Sequence, residues 1–345
     1  MTGAPIETDA LVIGAGPVGL WQVFQLGLQD IRCHVIDALP GGGGQPAELY
    51  PGKPIYDIPG LPVCSGQELM DRLQQQVRPF APSLHLGQTV TGLVRREDAR
   101  FDVQTSAGTG FIARSVFIAA GVGAFQARPL KLEGIEAFEG SQVFHRPQDP
   151  EAFAGLQVVV HGGEEHAVEW ALRLADVTHP PASITLLHRR DVFQADAPDL
   201  ARLQALTEQG RIGRSIGQTL GLKVQDGRLT GIEIVTPDDQ TRVQPLDALL
   251  VCLGLSPRLG PIADWGLAME RKQLVVDTAS FETSVPGIHA VGDAITYPGK
   301  RKLILSGFHE ATLAAFGAVA LLRPAEKPLL QYTTTSTLLH QRLGL

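Results

Sequence analysis

Residues 9–19 read D-A-L-V-I-G-A-G-P-V-G, and the apolar run L-W-Q-V-F-Q-L-G-L follows at 20–28. An apolar run as short as the first predicts a buried strand, the glycines a tight turn, and the second run a helix. Each glycine has its own task in such a turn. Gly14 permits the sharp bend, Gly16 lets the backbone approach a pyrophosphate, and Gly19 lets helix and strand pack closely. The helix N-terminus adds unpaired N–H groups and partial positive charge, which suit phosphate. The next strand, R-C-H-V-I at 32–36, ends in Asp37, about 20 residues beyond the turn, where a carboxylate accepts ribose hydroxyl hydrogen bonds. A glycine pattern alone is an ordinary strand–helix turn. With strand, helix and acid all in place it predicts dinucleotide binding.

Working outward, Gly41 to Gly44 lead through Q-P-A-E-L-Y-P into P-I-Y-D-I-P-G-L-P at 54–62, whose prolines exclude a helix there. Residues 66–80 have helical spacing, with Leu69, Met70, Leu73 and Val77 on one face. Segments 90–95, 101–105 and 111–113 alternate as antiparallel strands, and 115–120 reads as a buried strand. The same order then recurs about 140 residues on. It runs through a strand at 157–160, the turn H-G-G, a helix at 167–175 and a strand at 184–187. A helical stretch at 199–208, alternating segments at 217–224, 229–236 and 244–245, and a buried strand at 246–253 complete it. A further strand and helix, 284–293 and 308–322, return to the first unit. The expected fold is α/β, with two Rossmann-like three-layer domains, the second (123–287) inserted in the first (1–122 and 288–345).

A chain of 345 residues suits two domains at roughly 150 residues each. Its 44% hydrophobic and 19% charged residues supply a real core and exclude a disordered chain. The 29 basic and 36 acidic side chains give a net charge of −7, and a pI near 5.8 argues against nucleic-acid binding by bulk charge. The deficit is not spread evenly, since 123–287 holds 15 basic against 22 acidic residues. Cys33, Cys64 and Cys252 are far apart with no C-x-x-C, which excludes a disulfide framework, a zinc site by spacing and a vicinal dithiol. No run reaches the roughly 18 uncharged apolar residues of a membrane span, and the first residues lack a basic and apolar leader. A cytoplasmic protein with no membrane partner is expected.

The chain resembles the two-dinucleotide-fold flavoproteins and, within them, the thioredoxin-reductase-like ferredoxin–NADP reductases. The resemblance rests on G-A-G-P-V-G (14–19), G-G-G-Q-P-A-E-L-Y-P (42–51), I-Y-D-I-P-G (55–60), A-A-G-V-G-A-F (119–125), L-G-P-I-A-D-W-G-L (259–267), V-G-D-A-I-T-Y-P-G-K (291–300) and Y-T-T-T-S-T (332–337). It implies FAD in the first unit and a homodimer. By position in these motifs Asp37 would hold the adenosine ribose, Gln45 the flavin side, and Tyr50 would stack on the isoalloxazine. Val90 would meet adenine through its backbone, Phe125 would pack near the cofactor, and Asp293 would bond the ribityl or phosphate region. Tyr332 would cover the other flavin face and Thr334 would bond near the ring. A flat apolar ring needs such aromatic walls and a few convergent polar groups. Without a dithiol, electrons are expected to pass directly from flavin to a docked carrier, so no catalytic acid or base is assigned.

The second glycine turn departs from the family. Where G-x-G-x-x-A is expected it reads Gly162-Gly163-Glu164-Glu165-His166-Ala167, placing Glu164 at the pyrophosphate-approach position. A carboxylate there opposes a phosphate by about 1–4 kcal/mol at about 4 Å, or about one to three decades in affinity. Alternatively the acids stabilise their own helix as a self-capped turn. His188-Arg189-Arg190 matches the cluster that in the family clasps the 2′-phosphate of NADPH, whereas Gln194 stands where arginine is usual. The spacing H-x-x-E-E-H at 161–166 lacks an i, i+4 histidine pair and argues against a metal site. Lys300-Arg301-Lys302 offers a landing patch for an acidic carrier, ferredoxin or flavodoxin, or else a solvated basic turn. The expected function is NADPH:ferredoxin electron transfer through FAD. The competing readings are a flavoprotein of this family with altered nicotinamide binding and another donor, and a redox sensor.

Overall fold

The apolar run ahead of the first glycine turn forms β1 (Ile6–Ile13), buried over its last four residues, and Pro17 opens α1 (Pro17–Leu28). Proline suits that position because its missing N–H falls among those a helix leaves unbonded. The computed structural model describes residues 4–145, 147, 149–325 and 332–344, and leaves aside the side chains of 124–127 and 255–258. These residues form two units, 1–124 with 257–345, and 125–256.

In the first unit β1 and α1 are followed by β2 (Cys33–Ile36), α2 (Gly44–Leu49), α3 (Gly66–Val77), β3 (Ser83–His85), β4 (Val90–Arg95), β5 (Phe101–Thr105) and β6 (Gly110–Ile118). The main sheet runs β3-β2-β1-β6-β5-β4. The sequence suggests two segments at 111–113 and 115–120, yet β6 is one strand. Arg114 interrupts the apolar run but is exposed and pairs with Asp9 at 3.0 Å. The first half of β6 pairs antiparallel with β5, and its second half pairs parallel with the strand Ile288–Ala290, with Ile288 opposite Val116. The return of the chain is therefore built into the centre of this sheet. The Q-P-A-E-L stretch, which shows no helical period in the sequence, is the short helix α2, with Pro46 in the first turn where its missing N–H costs nothing. Helix α3 begins on a capping box, Ser65 accepting from Glu68 N–H and Glu68 from Ser65 N–H.

The second unit contains β7 (Val143–Phe144), β8 (Gln157–His161), α4 (Glu165–Asp176), β9 (Ser183–His188), α5 (Ala197–Glu208) and β10 (Gly213–Ile216). They are followed by β11 (Gln218–Gln225), β12 (Arg228–Val235), β13 (Thr241–Pro245) and β14 (Ala248–Val251). A parallel sheet runs β7-β14-β8-β9-β10, and β11, β12 and β13 form a separate antiparallel sheet. The continuous apolar runs of β8 and β14, buried along almost their whole length, match strands covered on both faces.

The chain crosses back at 256/257 rather than at 287/288. Ile262, Leu267, Leu274, Val276 and Phe281 are the reason, because they are buried in the core of the first unit with Val12, Phe101 and Phe117. The helix Ile304–Leu322 is long and apolar enough by length and composition to cross a membrane. Its Ala311, Ala314, Ala315 and Ala318 are fully buried, and the helix packs against α1.

Candidate functional site

The glycines of the first turn differ in what a side chain would meet. A Cβ on Gly14, which has φ 110°, would lie 2.3 Å from the Ala119 carbonyl oxygen, and one on Gly19 would lie 1.8 Å from the Gly14 carbonyl oxygen. Both are demanded by the protein's own packing. A Cβ on Gly16 would find only Gly44 Cα, at 3.6 Å. Gly16 caps α1 with no side-chain hydrogen bond, so the first N–H groups of the helix lack a capping acceptor. Space beside Gly16 and uncapped donors fit an acceptor brought from outside, as the pyrophosphate of a dinucleotide is.

Asp37 closes the same turn from the end of β2. Its Oδ2 accepts from Ala15 N–H at 2.5 Å and its Oδ1 from Leu39 N–H at 2.7 Å. Burial pushes its carboxyl up, and these two N–H groups hold it back. Each oxygen keeps a further lone pair for a hydroxyl. Val90, buried at the start of β4, is tied to this end of the sheet, since Gln88 N–H donates to the Asp37 carbonyl at 2.9 Å. Gln45 of α2 donates from Nε2 to Asp293 Oδ2 at 3.4 Å, and Gly121 lies beside the same amide. Burial, followed by the charges of Asp293 and Asp57, pushes the Tyr50 hydroxyl up. Gln45, Tyr50, Gly121 and Asp293 thus converge beside the glycine turn.

Other expected residues stand apart from this cluster. Tyr332 is 68% exposed, and Thr334 is exposed in the turn that follows it. That tail continues as the helix Thr337–Leu343, where Arg342 pairs with Asp30 at 2.6 Å. The side chain of Phe125 lies outside the described residues. Lys300 does not belong to a solvated patch. Its side chain is 7% exposed, and its Nζ lies 2.5 Å from Oε1 of Glu310, which is 0% exposed. Arg301 and Lys302 remain exposed. Sequence reasoning missed Glu310, although a lone acid in the apolar run I-L-S-G-F-H-E-A-T-L-A-A-F was its signal.

The second turn repeats the first residue by residue. A Cβ on Gly162 would lie 2.1 Å from the Cys252 carbonyl oxygen and 2.9 Å from Ala167 Cβ, as Gly14 meets Ala119 and Gly19. Glu164 caps α4 with φ −96° and ψ 172°, the extended backbone that Gly16 adopts at φ −75° and ψ −175°. It therefore stands at the Gly16 station. Its side chain makes no capping hydrogen bond and its Oε2 lies over Gly254, while Glu165 stands as an acid in the first turn of α4. Gly163 is required by the His188 ring, to which a Cβ would come within 2.4 Å. His188 Nδ1 in turn bonds the Arg190 and Val192 carbonyls at 2.9 and 3.1 Å, leaving Arg189 and Arg190 as the exposed cations of the cluster. His161 is buried with Nδ1 unbonded, and burial, aided by His188, pushes it down to about 4.

The pyridine nucleotide-disulphide oxidoreductase family profile matches residues 8–315. A ferredoxin–NADP reductase of Leptothrix cholodnii is 58% identical over 340 residues, covering 98% of this chain and 92% of that one. Ferredoxin–NADP reductase 2 of Cupriavidus metallidurans is 55% identical over 342 residues, covering 99% and 92%. Among solved structures, thioredoxin reductase of Lactococcus lactis superposes with a TM-score of 0.61 at 23% identity, over 91% of this chain and 99% of that one. The bacillithiol disulfide reductase of Staphylococcus aureus gives 0.65 at 16% identity, over 91% and 99%. These structures share the two-domain fold.

Proposed function

This chain belongs to the pyridine nucleotide-disulphide oxidoreductase family as a flavin-dependent NADPH oxidoreductase of the ferredoxin–NADP reductase type, and from that premise we propose how its residues divide the work. Bound FAD and NADPH supply the redox chemistry, a hydride passing from nicotinamide to flavin and electrons leaving singly to the carrier. The observation that carries the assignment of FAD to the first unit is the open Gly16 station at an uncapped helix N-terminus, beside the Gln45, Tyr50 and Asp293 cluster.

There the N–H groups of the turn hold the pyrophosphate, and Asp37 accepts from the adenosine ribose. The backbone at Val90 meets adenine, and Tyr50 walls the ring while Gln45 and Asp293 orient it. Phe125, Tyr332 and Thr334 complete the pocket, an assignment that the family resemblance supports. In the second unit Gly162, Gly163 and Ala167 shape the nicotinamide-nucleotide turn, and His188 organises the loop from which Arg189 and Arg190 reach the 2′-phosphate. Burial pushes the thiols of Cys33 and Cys252 up to about 12 and raises that of Cys64, so none is a ready thiolate.

Ferredoxin is the favoured acceptor and flavodoxin a second. Arg301 and Lys302, exposed beside the flavin-pocket turn, receive its acidic face. The resemblance further supports a homodimer. Glu164 favours a second reading, in which NADPH binds weakly and another donor reduces the protein, or the protein acts as a redox sensor.

The test is NADPH-dependent reduction of ferredoxin at low and high ionic strength. Wild type should be fast at low salt, and neutralising Arg301 and Lys302 should slow it there far more than at high salt. A salt dependence unchanged by the substitutions removes the docking assignment, and no reduction of any acidic carrier removes the carrier chemistry.

A further inference from the structure

Glu310 is fully buried, and a carboxylate in such a place is costly unless its oxygens are bonded. Oε2 accepts from the Gly292 backbone N–H at 2.7 Å. Oε1 accepts from the Tyr297 hydroxyl at 2.8 Å and from Lys300 Nζ at 2.5 Å. Gly292, with φ 77°, opens the turn Gly292–Ala294 that presents Asp293 to Gln45. The same turn is held from a second side by Val18, in the first turn of α1. A Cβ on Gly292 would come 3.5 Å from Val18, and one on Gly307 would come within 2.3 Å of it. Burial and the bond to Glu310 push the Tyr297 hydroxyl up to about 12, so it stays a donor. Two donors fix one carboxylate oxygen, and the other is left with a single orientation toward Gly292.

We propose that Glu310 is a positioning residue for the flavin pocket, fixing through Gly292 N–H where the Asp293 carboxylate stands relative to Gln45 and the glycine turn. The inference rests on the assignment of FAD to the first unit. Glu310 acts through Asp293 and not on the cofactor itself. Lys300 serves this clamp, while its neighbours Arg301 and Lys302 stay at the surface for a docking partner.

A double-mutant cycle on FAD affinity tests it, read as the dissociation constant for FAD from wild type, Glu310→Gln, Asp293→Asn and the double variant. Glu310→Gln should weaken FAD about tenfold. The double variant should bind no worse than Asp293→Asn alone, because both changes remove one contact. Losses that multiply, or an affinity unchanged by Glu310→Gln or by Asp293→Asn, overturn the inference, since a merely structural ion pair would give one of those results. Should Glu310→Gln fail to fold, Tyr297→Phe in the same cycle decides in the same way, with a smaller loss that vanishes in the Asp293→Asn background. A wild-type protein that takes up no FAD refutes the flavoprotein assignment itself, a result distinct from a cycle that binds FAD without coupling.

Discussion

In the proposed nicotinamide site, position 164 is where a single side chain would set the balance. Its backbone is that of Gly16, so a carboxylate stands where the first unit offers open space and N–H donors. Both its volume and its charge oppose a pyrophosphate, and two substitutions separate them. Glu164→Gln keeps the volume and drops the charge, whereas Glu164→Gly drops both. NADP⁺ affinity, measured by calorimetry, should rise in the order wild type, Glu164→Gln, Glu164→Gly, by about one to three decades in all. Equal affinities would mean that Glu164 does not face the nucleotide. The glutamate's station was legible from spacing alone, because Gly162 and Ala167 frame it as Gly14 and Gly19 frame Gly16. The direction of its side chain was not. Neither was the burial of Lys300, since a run of basic residues carries no sign that one of them reaches inward to an acid ten positions along the chain.

Among the elements, the β1–α1 turn separates the glycines that the fold requires from the one proposed to serve the ligand. Gly14→Ala forces a side chain into the Ala119 carbonyl at a positive φ, and the apoprotein should lose about 2 kcal/mol or more of stability in thermal or urea unfolding. Gly16→Ala meets nothing closer than 3.6 Å in the protein. It should leave the apoprotein's melting temperature within a few degrees of wild type and weaken FAD by about tenfold or more. Equal effects of the two on apoprotein stability would contradict this division. Strands and helices with regular apolar periodicity, such as β1, α3 and β8, were readable to within a few residues. The short helix α2 was not, because six residues that begin on a glycine and hold a proline carry no period, and its place comes from packing between Gly16 and α3. β6 hid for a different reason, since one arginine at a solvent-facing position broke the apolar run.

For the molecule as a whole, the observed units hold 12 basic against 18 acidic residues in 125–256 and 17 against 18 in the remainder. The negative charge gathers in the unit that is to bind NADPH, leaving the FAD unit nearly neutral for an acidic carrier. Acid should unfold the protein through its buried histidines. His161 has a folded value of about 4 against 6.5 unfolded, so its neutral form favours the fold. Its contribution, roughly 3 kcal/mol, is complete above about pH 6.5 and is lost as pH falls through about 4. His34, His85 and His289 are lowered too, each chiefly by burial, and act in the same sense. Urea unfolding from pH 7 to 4 should show this decline, and His161→Leu should flatten it; an equal slope in the variant would contradict the assignment. The central claim, that FAD in this chain accepts electrons from NADPH, is tested most directly by anaerobic titration of the flavin-loaded protein. The flavin band at about 450 nm should bleach on adding NADPH. A band that neither NADPH nor NADH bleaches would contradict the account.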